Sequence, residues 1–339
     1  MTRVAAALLF AKTSIAEIVE LGATLEEGGF ERVLIGEAWR EPVVPMTALA
    51  LGTERVRIGT AVSQIYPVNP VIAAQQAAQL QEVSGGRFSL GLGLGAGFVV
   101  ERWFGVPYER PVRRMREFIE IMRGVLASPE AGPFSYEGQI LSTRKYALPF
   151  ASEAVHVPIH VAAIGPKMQE LTGELADGIV VGALHSVEYM EATRERLAVG
   201  ADRAGRSVDE LEILYYLTCC VSENGERARA LARRSLVYVA QYPHYQKIYE
   251  REGFGAVAHR MAELVREKRM DDAEALVTEV MLERFCVAGT PAEAAEQLAR
   301  FEATYPGVPV LHMVPFRIDE DEVRESFRLA AGIAARATT

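Results

Sequence analysis

Three side chains that could hold or move a proton stand where apolar runs end. Glu37 follows the run 32–36, His185 follows 178–181, and His312 lies within 308–314. General acid–base work needs a titratable group beside the reacting atoms and partly shielded from water, and a sheet's edge provides that shielding. The plainer reading of each is a helix cap or an ion-pair partner. Glu37 is taken as the first catalytic candidate and His185 as the second. His156 and His160 are four apart, but in an extended segment that spacing makes no helical metal face, so no metal is expected. No recognisable loop carries a Ser, His and Asp arrangement, which leaves hydrolysis unsupported.

Backbone chemistry is the second kind on offer. Ser84-Gly85-Gly86-Arg87 runs into an apolar stretch whose residues 91, 93, 95 and 97 are glycine, so side chains vanish just where a strand ends. Glycines there permit close approach of another group, and Gly95 and Gly97 are free to take positive φ. The GxGxxA spacing of Gly91, Gly93 and Ala96 is no dinucleotide fingerprint, since it follows a fourth strand and no acidic ribose partner stands at the right distance. Gly165-Pro166-Lys167-Met168 reads as a helix start whose first-turn N–H groups lack internal partners and suit a phosphate, with Lys167 as a second charge.

These groups need a frame that brings strand ends together. Apolar or β-branched runs at 4–9, 32–36, 56–62, 88–93, 158–163, 178–181, 211–221 and 308–314 alternate with helical-period segments at 14–27, 70–83, 110–126, 167–175 and 187–204. A hairpin-like excursion falls at 134–139. Eight strands alternating with helices predict a (β/α)8 TIM barrel, with its site at the C-terminal strand ends. Residues 1–339 are read as one domain, with 224–282 as a strand-free helical insertion between the seventh and eighth strands. Thr290-Pro291-Ala292-Glu293 has the form of a helix start.

Composition narrows the partners. With 36 basic against 45 acidic residues the formal charge is −9, which disfavours nucleic acid as the main partner. The opening apolar run is too short to span a membrane and lacks a signal peptide's cleavage pattern, so a cytoplasmic protein without a membrane partner is expected. Cys219, Cys220 and Cys286 suggest small buried hydrophobes rather than a disulfide frame or a zinc site.

Several of these segments together resemble the bacterial luciferase-like family, in particular its F420-dependent branch, which includes methylenetetrahydromethanopterin reductase. The matching pieces are Gly59-Thr60-Ala61-Val62 with Asn69-Pro70, the stretch 80–91, Ala163-Ile164-Gly165-Pro166-Lys167-Met168 with Leu175-Ala176-Asp177-Gly178, and Ala288-Gly289-Thr290-Pro291. The resemblance implies a barrel holding a deazaflavin or flavin at its C-terminal mouth, a homodimer, and a small-molecule substrate. A backbone bulge with a cis non-proline peptide would fall near Val62-Ser63 and back the ring together with Ala61. The phosphate-bearing tail would run toward Gly95-Ala96-Gly97 and toward Ala163 and Gly165-Pro166-Lys167-Met168, with Gly182 close by. The Gly-Pro-Lys-Met wording favours F420 over FMN.

The sequence departs from that pattern in two places. Ala38 follows Glu37 where many relatives have histidine, and Ala96 stands where sugar-phosphate-oxidising relatives have glutamate. The expected activity is hydride transfer between F420 and a small organic substrate. Two alternatives stay open: an FMN-dependent monooxygenase supplied by a flavin reductase, and a non-catalytic flavin- or deazaflavin-binding protein. Trp39, Arg144, Tyr242, His244 and Arg317 are the substrate-contact candidates, the later ones on condition that the insertion folds over the mouth.

Overall fold

The computed structural model describes residues 3–336, apart from the side chains of residues 244 and 334–336. Eight strands, Ala5–Leu8, Arg32–Ile35, Arg57–Thr60, Phe88–Gly93, Ile159–Ala162, Gly178–Val181, Glu212–Val221 and Val308–His312, follow each other around one sheet in chain order, and the eighth neighbours the first. That order is the closed (β/α)8 barrel. Pairing is parallel, with Ala5 opposite Val310, Ile58 opposite Phe88 and Leu90 opposite Ile159. Covered on both faces, such strands read as unbroken apolar runs: the first, second, fourth and sixth are buried at every residue.

Helices start where their caps dictate. Ser14 caps Ile15–Glu27 and Glu17 returns the bond; Asn69 caps Pro70–Val83, with proline at the first helical position; Thr290 and Glu293 form the same reciprocal box on Pro291–Thr304. Each satisfies N–H groups that a helix leaves orphaned.

The chain divides into two compact units. One comprises 1–33, 181–191 and 214–339; the other comprises 34–180 and 192–213. In the first, residues 224–282 carry no strand and build the helices Gly225–Ala240, Pro243–Arg251, Gly255–Arg266, Met270–Ala275 and the start of Glu279–Phe285. A short strand not expected from the sequence, Cys286–Gly289, then pairs with the far end of the seventh strand, Thr218 opposite Cys286. All three cysteines are buried free thiols.

In the second unit the third strand ends at Thr60, two residues before the expected boundary. The Ala61–Val62 peptide is cis, and pairing resumes at Ser63–Gln64, with Gln64 opposite Gly93. Gly97–Trp103 is a short helix, and the excursion near 134 is an antiparallel pair, Phe134–Glu137 with Ser142–Tyr146. Among the described residues no helix is long and apolar enough to cross a membrane.

Candidate active site

Glu37 leaves the second strand with its backbone already committed. Its N–H donates to the Val62 carbonyl at 3.2 Å, just past the cis peptide. Its Oε2 accepts the Gln64 backbone N–H at 2.7 Å, and its carbonyl takes a longer bond from Gln64 Nε2 at 3.4 Å. Glu37 and Gln64 are therefore clasped together. Burial lifts the Glu37 carboxyl above the usual carboxylate range, the Gln64 N–H opposes that rise, and the Glu41 charge adds to it. A carboxyl so placed holds its proton closer to neutral pH than an exposed one does.

The glycine run answers to the same neighbourhood, in a way the sequence did not reveal. A methyl at Gly91 would overlap the Thr60 carbonyl, one at Gly93 the Val62 side chain, and one at Gly95 the Gln64 Oε1. Alternate glycines thus make room for the chain's own bulge from Thr60 to Gln64. Gly95 also needs its φ of +69°, which other residues rarely adopt. Gly97 opens the helix Gly97–Trp103 after Ala96, and a methyl added there would meet the Tyr108 ring at an ordinary 3.5 Å. Three of the four glycines therefore accommodate the chain's own neighbouring segment.

Gly165 is different. A Cβ there would meet nothing within 4 Å. It caps the helix Pro166–Leu175 without a side-chain bond, Pro166 and Lys167 are exposed, and Met168 is buried beneath. Ala163, buried, leads into this turn. The arrangement is a bare helix entrance with a lysine beside it, which fits an anionic tail.

In the other unit, His185 follows Leu184, which holds a φ of +67°. The imidazole is 3% exposed, its Nδ1 donates to the Gly182 carbonyl at 3.2 Å, and its edge meets the Tyr215 and Tyr305 rings at 5.4 and 4.8 Å. Burial pushes it down to about 4, the Gly182 carbonyl resists, and the Arg251 charge helps. At neutral pH this ring is neutral with its one proton facing Gly182, so it has none to give elsewhere. His312 stacks on Tyr216 at 4.8 Å, and burial likewise pushes it to about 4. A Cβ added at Gly182 would have only the Tyr245 hydroxyl near it, at 4.0 Å.

Of the substrate candidates, Trp39 is 49% exposed just beyond Glu37. Tyr242 donates to the Tyr238 hydroxyl at 2.6 Å, and Arg317 is exposed with a long ion pair to Glu274 at 3.9 Å. The His244 side chain lies outside the described residues. Arg144 sits on the antiparallel hairpin, 81% exposed and paired with Glu137 at 3.2 Å. Residues that sequence reasoning passed over include Gln64 and Arg87. Arg87 binds the carbonyls of Ala50, Thr53, Val56 and Ser84 and the Thr53 hydroxyl, locking the entrance of the fourth strand.

Residues 1–306 match the family model described as luciferase-like monooxygenase. The chain belongs to that family. Over 281 residues it is 30% identical to a 5,10-methylenetetrahydromethanopterin reductase of Archaeoglobus fulgidus, covering 80% of this chain and 82% of that one. Among solved structures, the coenzyme F420-dependent tetrahydromethanopterin reductase of Methanopyrus kandleri superposes with a TM-score of 0.83 at 23% identity, over 100% of this chain and 99% of that one. The FMN-bound oxygenating constituent of 3,6-diketocamphane monooxygenase of Pseudomonas putida gives 0.69 at 17% identity, over 99% of both chains. At these identities the two structures establish the shared barrel of the family member.

Proposed function

We propose that this luciferase-like enzyme is an F420-dependent oxidoreductase that transfers a hydride between the deazaflavin and a small organic substrate. The observation that carries the reading is the bare entrance of the helix Pro166–Leu175, where Gly165 leaves open space and Lys167 adds charge. Such an entrance accepts a phosphate-bearing tail without rearrangement. The names of two relatives that align over most of this chain favour F420 over FMN as the bearer of that tail.

When bound, the deazaflavin supplies the carbon that gives or takes the hydride. Ala61, Val62 and Ser63 form the backing for a flat ring, Gly95, Ala96 and Gly97 border it, and Ala163 with Gly165, Pro166, Lys167 and Met168 take the tail. A carbonyl, imine or alkene that gains a hydride must also gain one proton. Glu37 is the group placed to hold that proton, because burial keeps its carboxyl protonated to higher pH than an exposed glutamate. In the reverse direction its carboxylate accepts one. Trp39 offers an exposed apolar face next in line for the substrate.

Titration of the purified protein with F420 and with FMN, followed by fluorescence, tests this. F420 is expected to bind at micromolar concentration, and Lys167→Ala is expected to weaken it by roughly tenfold, the worth of one charge-assisted contact. Absence of F420 binding overturns the reading. FMN binding with oxygen consumption from FMNH2 would assign the monooxygenase alternative, and tight binding without turnover of any substrate would assign a carrier.

A further inference from the structure

In the first of the two units, six ring-bearing side chains gather from two strands, two helices and the turns beside them. Tyr216 of the seventh strand and His312 of the eighth stack with ring centres 4.8 Å apart. Tyr238, near the end of the helix Gly225–Ala240, meets the Tyr242 ring edge-on at 5.3 Å and the Phe316 ring at 4.9 Å. Burial pushes up the hydroxyls of Tyr216 and Tyr238, and Tyr245, on the helix Pro243–Arg251, lies close enough to add to both. Tyr245 thus joins the two groups into one cluster.

Exposure separates this cluster from the core tyrosines of the same unit. Tyr215, Tyr249 and Tyr305 are 0%, 0% and 8% exposed, whereas all six members of the cluster are only half-buried. Rings that serve packing alone hide their faces; these gather and still keep surface open to a ligand. Beside them there is room at Gly182, where an added Cβ would have only the Tyr245 hydroxyl near it, at 4.0 Å.

The chemistry of the lining selects what can enter. Burial raises the hydroxyls of Tyr216, Tyr238 and Tyr245, which keeps them protonated at neutral pH, and pushes His312 down to about 4, which keeps it neutral. A phenol is an apolar plate with a donor at its tip, so the cluster offers π faces to a ring and O–H groups to acceptors on that ring's edge. Tyr242 donates to the Tyr238 hydroxyl at 2.6 Å, which leaves the Tyr238 proton to be donated elsewhere.

We propose that these six residues form a binding site for a flat, uncharged ring system that carries hydrogen-bond acceptors at its edge. The site stands without the proposed function and rests on that reading only in assigning the ring to the substrate. A puckered molecule of the same size loses the stacking, and a charged one meets no opposite charge in the lining.

The test uses the cofactor-free protein and three probes measured by isothermal titration: coumarin, which is flat and has lactone oxygens; octahydrocoumarin, which keeps the oxygens but is puckered; and naphthalene, which is flat without acceptors. Coumarin is expected to bind about tenfold more tightly than either. Tyr216→Leu and Phe316→Leu, which each remove a π face, are expected to weaken coumarin several-fold and to narrow its lead over octahydrocoumarin. Tyr245→Phe, which removes one hydroxyl, is expected to weaken coumarin and leave naphthalene as it was. Tyr305→Phe, in the core, is expected to leave all three affinities at their wild-type values. If one leucine variant fails to fold, the other carries the measurement. Equal affinity for coumarin and octahydrocoumarin would overturn the proposal, as would unchanged coumarin binding in every leucine variant that folds, or no binding up to the solubility limit of coumarin. With F420 at saturation coumarin is expected to bind still; its displacement would give the ring site to the deazaflavin and overturn the assignment to substrate. Absence of F420 binding, by contrast, removes the proposed function and leaves the coumarin result standing.

Discussion

Glu37 and His185 both follow a barrel strand, and burial favours the neutral form of each, but with opposite consequences. For a carboxyl the neutral form carries the proton; for an imidazole it lacks the second one. Glu37 is anchored by one oxygen and opens on a cavity with room for water. His185 is closed in by Tyr215 and Tyr305, and its proton is turned to Gly182. The same physical term therefore moves one group toward service near neutral pH and the other away from it, to about 4. Position after a strand is a weaker guide to catalysis than what surrounds the group once it is there.

The sharpest way to break that contrast is to remove each group and measure turnover with F420. Glu37→Gln is expected to lower kcat by roughly 10²–10⁴, the range for a general acid or base. The alkaline limb of wild-type kcat should reflect loss of the Glu37 proton: as pH rises through its elevated midpoint the acid is lost and reduction slows, and Glu37→Gln should erase that limb. His185→Phe is expected to change kcat by less than about tenfold, because the native ring supplies no proton at neutral pH. Equal losses in the two variants would put His185 back beside Glu37.

Stability should invert the order. His185→Ala removes a ring packed between two tyrosines and is expected to cost roughly 2–4 kcal/mol in chemical denaturation, as other large-to-small core changes do. Its pH dependence has a definite sign. In the unfolded chain the imidazole takes a proton near its ordinary value of 6.5, whereas in the folded protein it does so only near 4. Between those values the unfolded state binds more protons, so stability falls as pH drops from 6.5 toward 4, by about 3 kcal/mol at the most. His185→Phe should flatten that part of the curve, and an unaltered slope would show that the burial of His185 is not its source.

Much of this frame was legible in the chain. The helix Pro70–Val83 and the fourth strand Phe88–Gly93 have the limits read from the sequence, because Asn69-Pro70, Ser84-Gly85-Gly86 and the apolar run mark their ends by local chemistry. The helix Val43–Gly52 escaped because its sequence is apolar nearly all round, so no 3.6-residue stripe announces it. The strand Cys286–Gly289 follows a helix without an intervening turn signal and depends on the seventh strand for its pairing. Within the site, Glu37 and the Gly165 turn were visible by residue type and position. Gln64 was not, since an amide shows its importance only through its partners, here Glu37 and Gly95. Glu117 was hidden for the same reason. Fully buried, it accepts the backbone N–H groups of Gln139, Ile140 and Leu141, and although burial opposes its ionisation these bonds hold its carboxyl below the usual range.

The finest contrast lies inside the glycine run, between a residue that touches Glu37's clasp and one that does not. Gly95→Ala would force a side chain onto a φ of +69° and against Gln64 Oε1. The backbone cost alone is of order 1–2 kcal/mol. Gly97→Ala would meet Tyr108 at an ordinary 3.5 Å and is expected to be near neutral in thermal melting. The two substitutions add the same methyl group two residues apart, so general perturbation of the loop affects both alike. If Gln64 transmits the strain, Gly95→Ala also shifts the Glu37 protonation midpoint in the cofactor-free protein, and Gly97→Ala leaves it where it was. A midpoint that moves equally in both, or in neither, would mean that the approach of Gly95 to Gln64 is packing alone and that Glu37 is held by the backbone bond from residue 64.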